Sequence, residues 1–256
     1  MILLIGGAGE TGVLANALVS AGFFVLVSTA TDAPLSLGSH PNLSRRSGPL
    51  DRESLSRLIL EREITVLIDA SHPYASVITN HARKVAKEHR IPYFRWYRPA
   101  ALHDSDEVIW AQDHADAARI AFSFGQPVLL TTGSRNLKPY AEESRRTGTS
   151  VVVRVLDRPD SLEACLQAGI PPNNVIAATG PFSLEQNVTT IREFGIGVIV
   201  TKDSGTIGGV PEKIEAARQE RCRVVVIRRP DEESSASYSD LTELLQAVNQ
   251  LTKSFS

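Results

Sequence analysis

The chain has 256 residues, 42% of them hydrophobic, with 27 basic and 29 acidic side chains and a formal net charge of −2. This is ordinary globular composition, with enough chain for one large α/β domain or two smaller ones. The near-neutral balance argues against bulk nucleic-acid binding, which needs a basic field to displace counterions.

Short β-branched runs alternate with amphipathic stretches from end to end, the pattern of βαβ units and mainly parallel sheets. Residues 2–5 predict a first strand, apolar throughout and so covered on both faces. Gly7-Ala8-Gly9-Glu10-Thr11-Gly12 follows at once and opens a helix over 13–21 that stops at Gly22. This is GxGxxG in the strand–turn–helix setting that the motif requires: absent side chains let a pyrophosphate approach backbone N–H groups, and the helix N-terminus adds partial positive charge. Gly6, Gly7, Gly9, Glu10, Thr11 and Gly12 are therefore expected nucleotide contacts. A second strand over 24–28 ends in Ser28-Thr29-Ala30-Thr31. Hydroxyls without a carboxylate suit a ribose 2′-phosphate, whereas an acid would bond the free 2′-hydroxyl of NAD. Asp32 lies several residues into the loop, so Ser28 and Thr29 point to NADPH, with NADH as the alternative.

A helix over 51–62, with Asp51 as its N-cap, precedes a strand over 65–69. At the end of that strand, Asp69-Ala70-Ser71-His72-Pro73-Tyr74 gathers an acid, a hydroxyl, an imidazole and a phenol. Ligands of open α/β sheets sit beyond the carboxyl ends of the strands. His72 and Tyr74 are thus candidates for substrate positioning or proton donation, while Asp69 and Ser71 serve equally well as caps for a helix over 74–88. A strand over 93–96 runs into Arg95-Trp96-Tyr97-Arg98. The polar stretch 98–107, with Pro99, is the expected break between two lobes, residues 1–99 and 100–256.

In the second lobe, helices over 113–124, 159–168, 183–194, 211–220 and 239–251 alternate with strands over 128–131, 151–155, 175–177, 198–201 and 224–227. Two strand ends are polar. Thr131-Thr132-Gly133-Ser134-Arg135-Asn136 has the composition of an anion pocket, so Thr132, Ser134 and Arg135 are expected cofactor contacts. TKDSGTIGGVPEK, residues 201–213, places three glycines between a buried strand and a helix with Pro211 at its first position, a loop costly to order unless it meets a ligand. Lys202, Ser204 and Gly205 are expected to reach phosphate or carboxylate, and Asp203 joins His72 and Tyr74 as a proton-donor candidate. The Ser-rich 233–239 reads as a loop.

Cys165 and Cys222 are too few for a zinc site or disulfide framework, and the histidines show no ligand spacing, so no metal is expected. No run approaches the roughly 18 apolar residues of a membrane span, and the start lacks a charged signal region, so the expectation is a cytoplasmic protein away from membranes.

In order along the chain, ILLIGGAGETG, VSTAT, DASHPYA, IPYFRWYRP, TTGSRNL and TKDSGTIGGVPEKIEAA resemble the precorrin-6A reductase family of cobalamin biosynthesis. The likeness spans nearly the whole chain, and HPYA and TKDSGTxGGxxEK are its most specific segments. Ala8 stands where family members often carry Thr, and Thr11-Gly12 replaces the Ala that follows their Glu, which touches side-chain contacts of the loop more than its backbone cradle. Pattern and resemblance agree on an α/β chain of two Rossmann-like lobes, with mainly parallel sheets and a cleft between them. The resemblance implies a pyridine-nucleotide-dependent reductase that delivers hydride to C19 and a proton to C18 of a tetrapyrrole polycarboxylate, metal-free or cobalt-containing. Other corrinoid-pathway enzymes are the protein partners it implies. A polycarboxylate on a chain of net charge −2 needs local cations, and among 21 arginines Arg135, Arg95 and Arg98 are the candidates. Two other readings share the opening loop: a non-catalytic NADPH-binding sensor, and another NADP-dependent reductase or epimerase. The second uses a Tyr-x-x-x-Lys pair, and no tyrosine here is followed by lysine at that spacing.

Overall fold

The computed structural model describes residues 1–7, 9–103, 107–230 and 236–254. The first stretch of chain forms β1 (Ile2–Gly6), α1 (Glu10–Ser20), β2 (Val25–Thr29), β3 (Leu43–Ser47), α2 (Arg52–Glu61), β4 (Val66–Asp69), α3 (Ser76–Glu88) and β5 (Tyr93–Trp96). Next come β6 (Ile109–Ala111), α4 (His114–Phe122), β7 (Val128–Leu130), α5 (Lys138–Thr147), β8 (Val151–Val155), α6 (Pro159–Gln167), β9 (Val175–Ala177), α7 (Leu184–Phe194), β10 (Val198–Lys202), α8 (Val210–Gln219) and β11 (Arg223–Ile227). The chain closes with β12 (Ser237–Tyr238) and α9 (Leu241–Ser254).

These elements form two units, residues 1–98 with 230–256 and residues 99–229. Each has one parallel sheet, in the order β12-β5-β4-β1-β2-β3 in the first unit and β6-β11-β10-β7-β8-β9 in the second. The first sheet is buried on both faces, as its apolar strands require. Ile2, Leu4, Val25, Val27, Val66 and Ile68 pack against Leu14 and Leu18 of α1 and Leu244 and Val248 of α9. The alternate residues Leu3, Ile5, Leu26 and Leu67 pack against Leu55 and Ile59 of α2 and Ala82 and Val85 of α3. In the second unit Leu129, Val152, Ile199, Val224 and Val226 meet Ile191 of α7 and Val210, Ala216 and Ala217 of α8.

Strand order reverses beside β1 in the first sheet, between β1 and β4, and beside β7 in the second, between β7 and β10. Adjacent loops diverge at such switch points and leave a crevice. The two loops at the first are those of Gly6–Gly12 and Asp69–Tyr74; at the second they are Thr131–Asn136 and Thr201–Gly209.

The lobe boundary differs from the expected 99/100 division. Residues 230–256 belong to the first unit, because β12 pairs with β5 and α9 fills its core. Residues 104–106 of the expected break, Ala8 of the glycine loop and 233–235 of the Ser-rich loop lie outside the described residues. α1 begins at Glu10, three residues earlier than its apolar pattern, and α3 begins at Ser76, which leaves Tyr74 in a turn closed by Ala75 N–H on His72 O at 2.8 Å. Pro211 is the second residue of α8, after Val210.

Leu244 and Val248 are fully buried, and each such side chain contributes about 1.5–3 kcal/mol to a domain stability of about 5–15 kcal/mol. In differential scanning calorimetry a chain cut after Arg229 should lose the cooperative transition of its first unit, whereas residues 99–229 alone should retain one.

Candidate functional site

The glycine loop divides into glycines that the fold requires and one that it does not. Gly7 sits at φ +147°, where side chains are strained. A Cβ on Gly6 would strike the Thr11 side chain, whose buried Oγ1 accepts Gly7 N–H at 2.9 Å and closes the turn. A Cβ on Gly12 would strike the Ser36 carbonyl, because the loop after β2 lies across α1, held by Gly38 N–H on Asn16 Oδ1 at 3.1 Å. Gly9 has an ordinary helical φ of −52° and nothing near the Cβ position. The protein itself makes no demand for glycine there. A ligand lying against the backbone at the start of α1 would make one, and an open loop of this shape can hold a dinucleotide pyrophosphate. Glu10, expected as a contact, is instead ion-paired with the buried Arg98.

At the tip of β2, Ser28 and Thr29 are buried and already bonded. Arg46 Nη1 donates to Ser28 Oγ at 2.8 Å and to Gly48 O at 3.0 Å. Arg45 donates to Thr29 Oγ1 at 3.1 and 3.3 Å, to Thr31 O at 3.2 Å and to Ala33 O at 2.7 Å. Both arginines lie on β3, a strand that apolar pattern does not reveal, and parallel pairing sets them level with Val27 and Ser28. Two half-buried guanidiniums thus stand among hydroxyls and carbonyls at the tip, while Asp32 is exposed in the loop beyond it. Both hydroxyls accept from these cations.

At the β4 tip, Asp69 is fully buried. It accepts Ser71 N–H at 2.9 Å and Tyr93 OH at 3.0 Å and pairs with Arg95 at 3.3 Å. Arg95 Nη1 also donates to the carbonyls of Asp69 and Ser71, each at 3.0 Å. Burial, then Asp69, pushes the Tyr93 hydroxyl pKa up, so it stays a donor. Arg95 and Arg98 are therefore internal braces and not substrate cations. His72 and Tyr74 remain half-buried in the turn, their rings 5.7 Å apart. His72 Nδ1 accepts Tyr74 N–H at 3.3 Å, which assigns the proton of the neutral ring to Nε2.

In the second unit, Asp203 is buried and accepts from Ala101 N–H, Leu102 N–H, Gly205 N–H and Arg229 at 3.0–3.3 Å. In all of these bonds Asp203 uses its carboxylate oxygens as acceptors inside the unit. It ties the glycine-rich loop to the chain entering and leaving the unit. Ser204 lies close to Gly208, where a Cβ would strike its Oγ, and Gly205 takes φ +83°. Lys202 Nζ donates to Thr132 O at 3.2 Å, joining the two tips at the switch point. Burial, then Arg135, lowers the Lys202 pKa. His114, bonded to Tyr140 OH at 3.0 Å, is pushed down to about 4 by burial and then Lys202, so it is neutral near pH 7. Ser134 is half-buried and Arg135 exposed at the same edge.

With this geometry in place, the relatives are informative. The model of precorrin-6x reductase CbiJ/CobK matches residues 1–249. The chain belongs to the precorrin-6x reductase family. A cobalt-precorrin-6A reductase of Priestia megaterium is 32% identical over 99% of this chain and 100% of its own. One from Methanothermobacter thermautotrophicus is 33% identical, covering 90% and 76%. A precorrin-6A reductase of Rhodococcus erythropolis is 29% identical over 98% of each. The solved structure of CobK precorrin-6A reductase shares the fold, with a TM-score of 0.79 and 22% identity over 97% of this chain and 96% of that one. The family is one of oxidoreductases, and among the described residues no helix is long and apolar enough to cross a membrane.

Gly9→Val separates structure from binding at the family's first loop. It should cost about 1 kcal/mol of stability, as a poor N-cap does, yet weaken nucleotide affinity at least about tenfold, read by nucleotide fluorescence titration beside thermal unfolding.

Proposed function

We propose that the protein is an NADPH-dependent reductase of precorrin-6A or cobalt-precorrin-6A that saturates the C18=C19 bond in cobalamin biosynthesis. The relatives above 30% identity named here are cobalt-precorrin-6A reductases, which makes the cobalt form the first substrate to test. Bound NADPH would supply the hydride for C19 and leave as NADP+, while a proton goes to C18.

The observation that carries the choice of nucleotide is the pair Arg45 and Arg46 at the β2 tip. A 2′-phosphate bears close to two negative charges, and arginine meets phosphate with paired N–H donors. The Gly6–Gly12 loop and the start of α1 would hold the pyrophosphate by backbone N–H groups. His72 would present Nε2–H, and Tyr74 its hydroxyl, to charge developing on the substrate, positioned by the turn that Asp69 and Arg95 brace. Thr132, Ser134, Arg135, Lys202, Ser204 and Gly205 supply donors and positive charge at the second unit's strand ends. They suit a substrate carboxylate or a cofactor phosphate.

Anaerobic turnover of both substrate forms with NADPH and NADH tests this reading. Wild type should oxidise NADPH with a kcat/KM at least about a hundredfold above that for NADH, and Arg45→Gln/Arg46→Gln should reduce that ratio at least about tenfold. No nucleotide oxidation with either substrate form would contradict the reductase reading.

A further inference from the structure

Two buried cations of the second unit have no part in the bonds described so far. Arg154 lies on β8 within the otherwise apolar run VVVRV and is 5% exposed. Lys213 lies in the first turn of α8 and is 8% exposed. Register brings them together. Val153, Leu130 and Val200 are paired neighbours, so Arg154, Thr131 and Thr201 form the next row, on the face covered by α7 and α8.

Among the described residues their bonds are with neutral groups. Arg154 Nη2 donates to Asn187 Oδ1 at 2.8 Å, and the guanidinium lies 3.9 Å over the Phe182 ring. Its other terminal nitrogen, Nη1, is buried without a hydrogen-bond partner. Lys213 Nζ donates to Thr201 Oγ1 at 2.8 Å. Burial, then Arg154, pulls Lys213 down to about 7, and Glu212, which opposes this, is itself exposed. Burial also lowers Arg154, to about 10. The N-terminus of α8, capped by Gly209 with no side-chain bond, adds further positive potential.

Two like charges buried at a helix N-terminus are unfavourable; with Lys213 pulled down to about 7 the free protein sheds part of that charge, and an anion held between the pair would restore it. An internal brace would show an acid, as Arg95 does with Asp69 and Arg229 with Asp203. We propose that Arg154 and Lys213 are the binding site for one carboxylate of the tetrapyrrole substrate. Identifying that carboxylate with the substrate rests on the reductase reading; the fit of the pair to an anion does not. A carboxylate brought to Nη1 of Arg154 would complete its bonds and neutralise the pair, so substrate binding would relieve a penalty that the free protein carries.

Lys213→Met keeps length and removes charge. Under this proposal it raises the Tm of the free protein by a few degrees, raises KM for the tetrapyrrole at least about tenfold and leaves the NADPH Kd within about twofold. Arg154→Lys should give a smaller KM increase than Arg154→Met. If Lys213→Met does not fold, Lys213→Gln carries the same reading. A lower Tm with unchanged KM would make the pair structural, and a weakened NADPH Kd with unchanged KM would make the anion a cofactor phosphate; either result overturns the proposal. If wild type turns over neither substrate form, the reductase reading fails separately. The site is then read by citrate at constant ionic strength: a Tm rise in wild type that vanishes in Lys213→Met supports a carboxylate site, and an equal rise or none in both overturns it.

Discussion

Charge taken out of water must meet a counter-charge, and in this protein that requirement sorts the arginines into two groups. Arg95, Arg98 and Arg229 each face an acid of their own unit: Asp69, Glu10 and Asp203. They brace the turn after β4, the start of α1 and the loop after β10. Arg45, Arg46 and Arg154 meet hydroxyls, carbonyls and an amide instead. The first group builds the loops, and the second is the one that the proposed function assigns to ligands that are themselves anions.

Parallel sheets are what make this sorting useful. Every strand of a unit delivers its carboxyl end to the same edge, so polar residues far apart in sequence gather there without disturbing the apolar strands below. In the first unit the edge carries the glycine loop, the Arg45–Arg46 pair and the His72–Tyr74 turn. In the second it carries Lys202, Thr132 and the Asp203 loop, with Arg154 and Lys213 just beneath. The net charge of −2 is thus compatible with an anionic substrate, because attraction comes from placement rather than from the sum.

The central strands were legible because a strand buried on both faces must be apolar throughout. β3, β6 and β12 were not legible. LSRRS is an edge strand whose arginines serve the β2 tip, and β6 and β12 are only three and two residues long. α5, KPYAEESRRT, buries little beyond Tyr140 and Ala141 and so lacks an apolar stripe. The return of β12 and α9 to the first unit is a contact between distant stretches of sequence, which local pattern does not carry. Among the site candidates, the glycine loop, His72, Tyr74 and Lys202 could be picked out because they sit at strand ends. The arginines could not be assigned by type: Arg95 and Arg98 proved internal, while Arg45 and Arg46 emerged only through strand pairing. Arg154 had left one signal, a cation inside an apolar run.

The most direct test of ligand-directed charge is phosphorus NMR of NADP+ bound to the wild-type protein and to Arg45→Gln/Arg46→Gln. The 2′-phosphate resonance should move on binding to wild type and lose most of that movement in the variant, while the pyrophosphate resonances still shift in both. A 2′-phosphate resonance that stays at its free position while the pyrophosphate signals report a bound nucleotide would contradict the assignment of Arg45 and Arg46 and, with it, the rule that separates bracing arginines from binding ones.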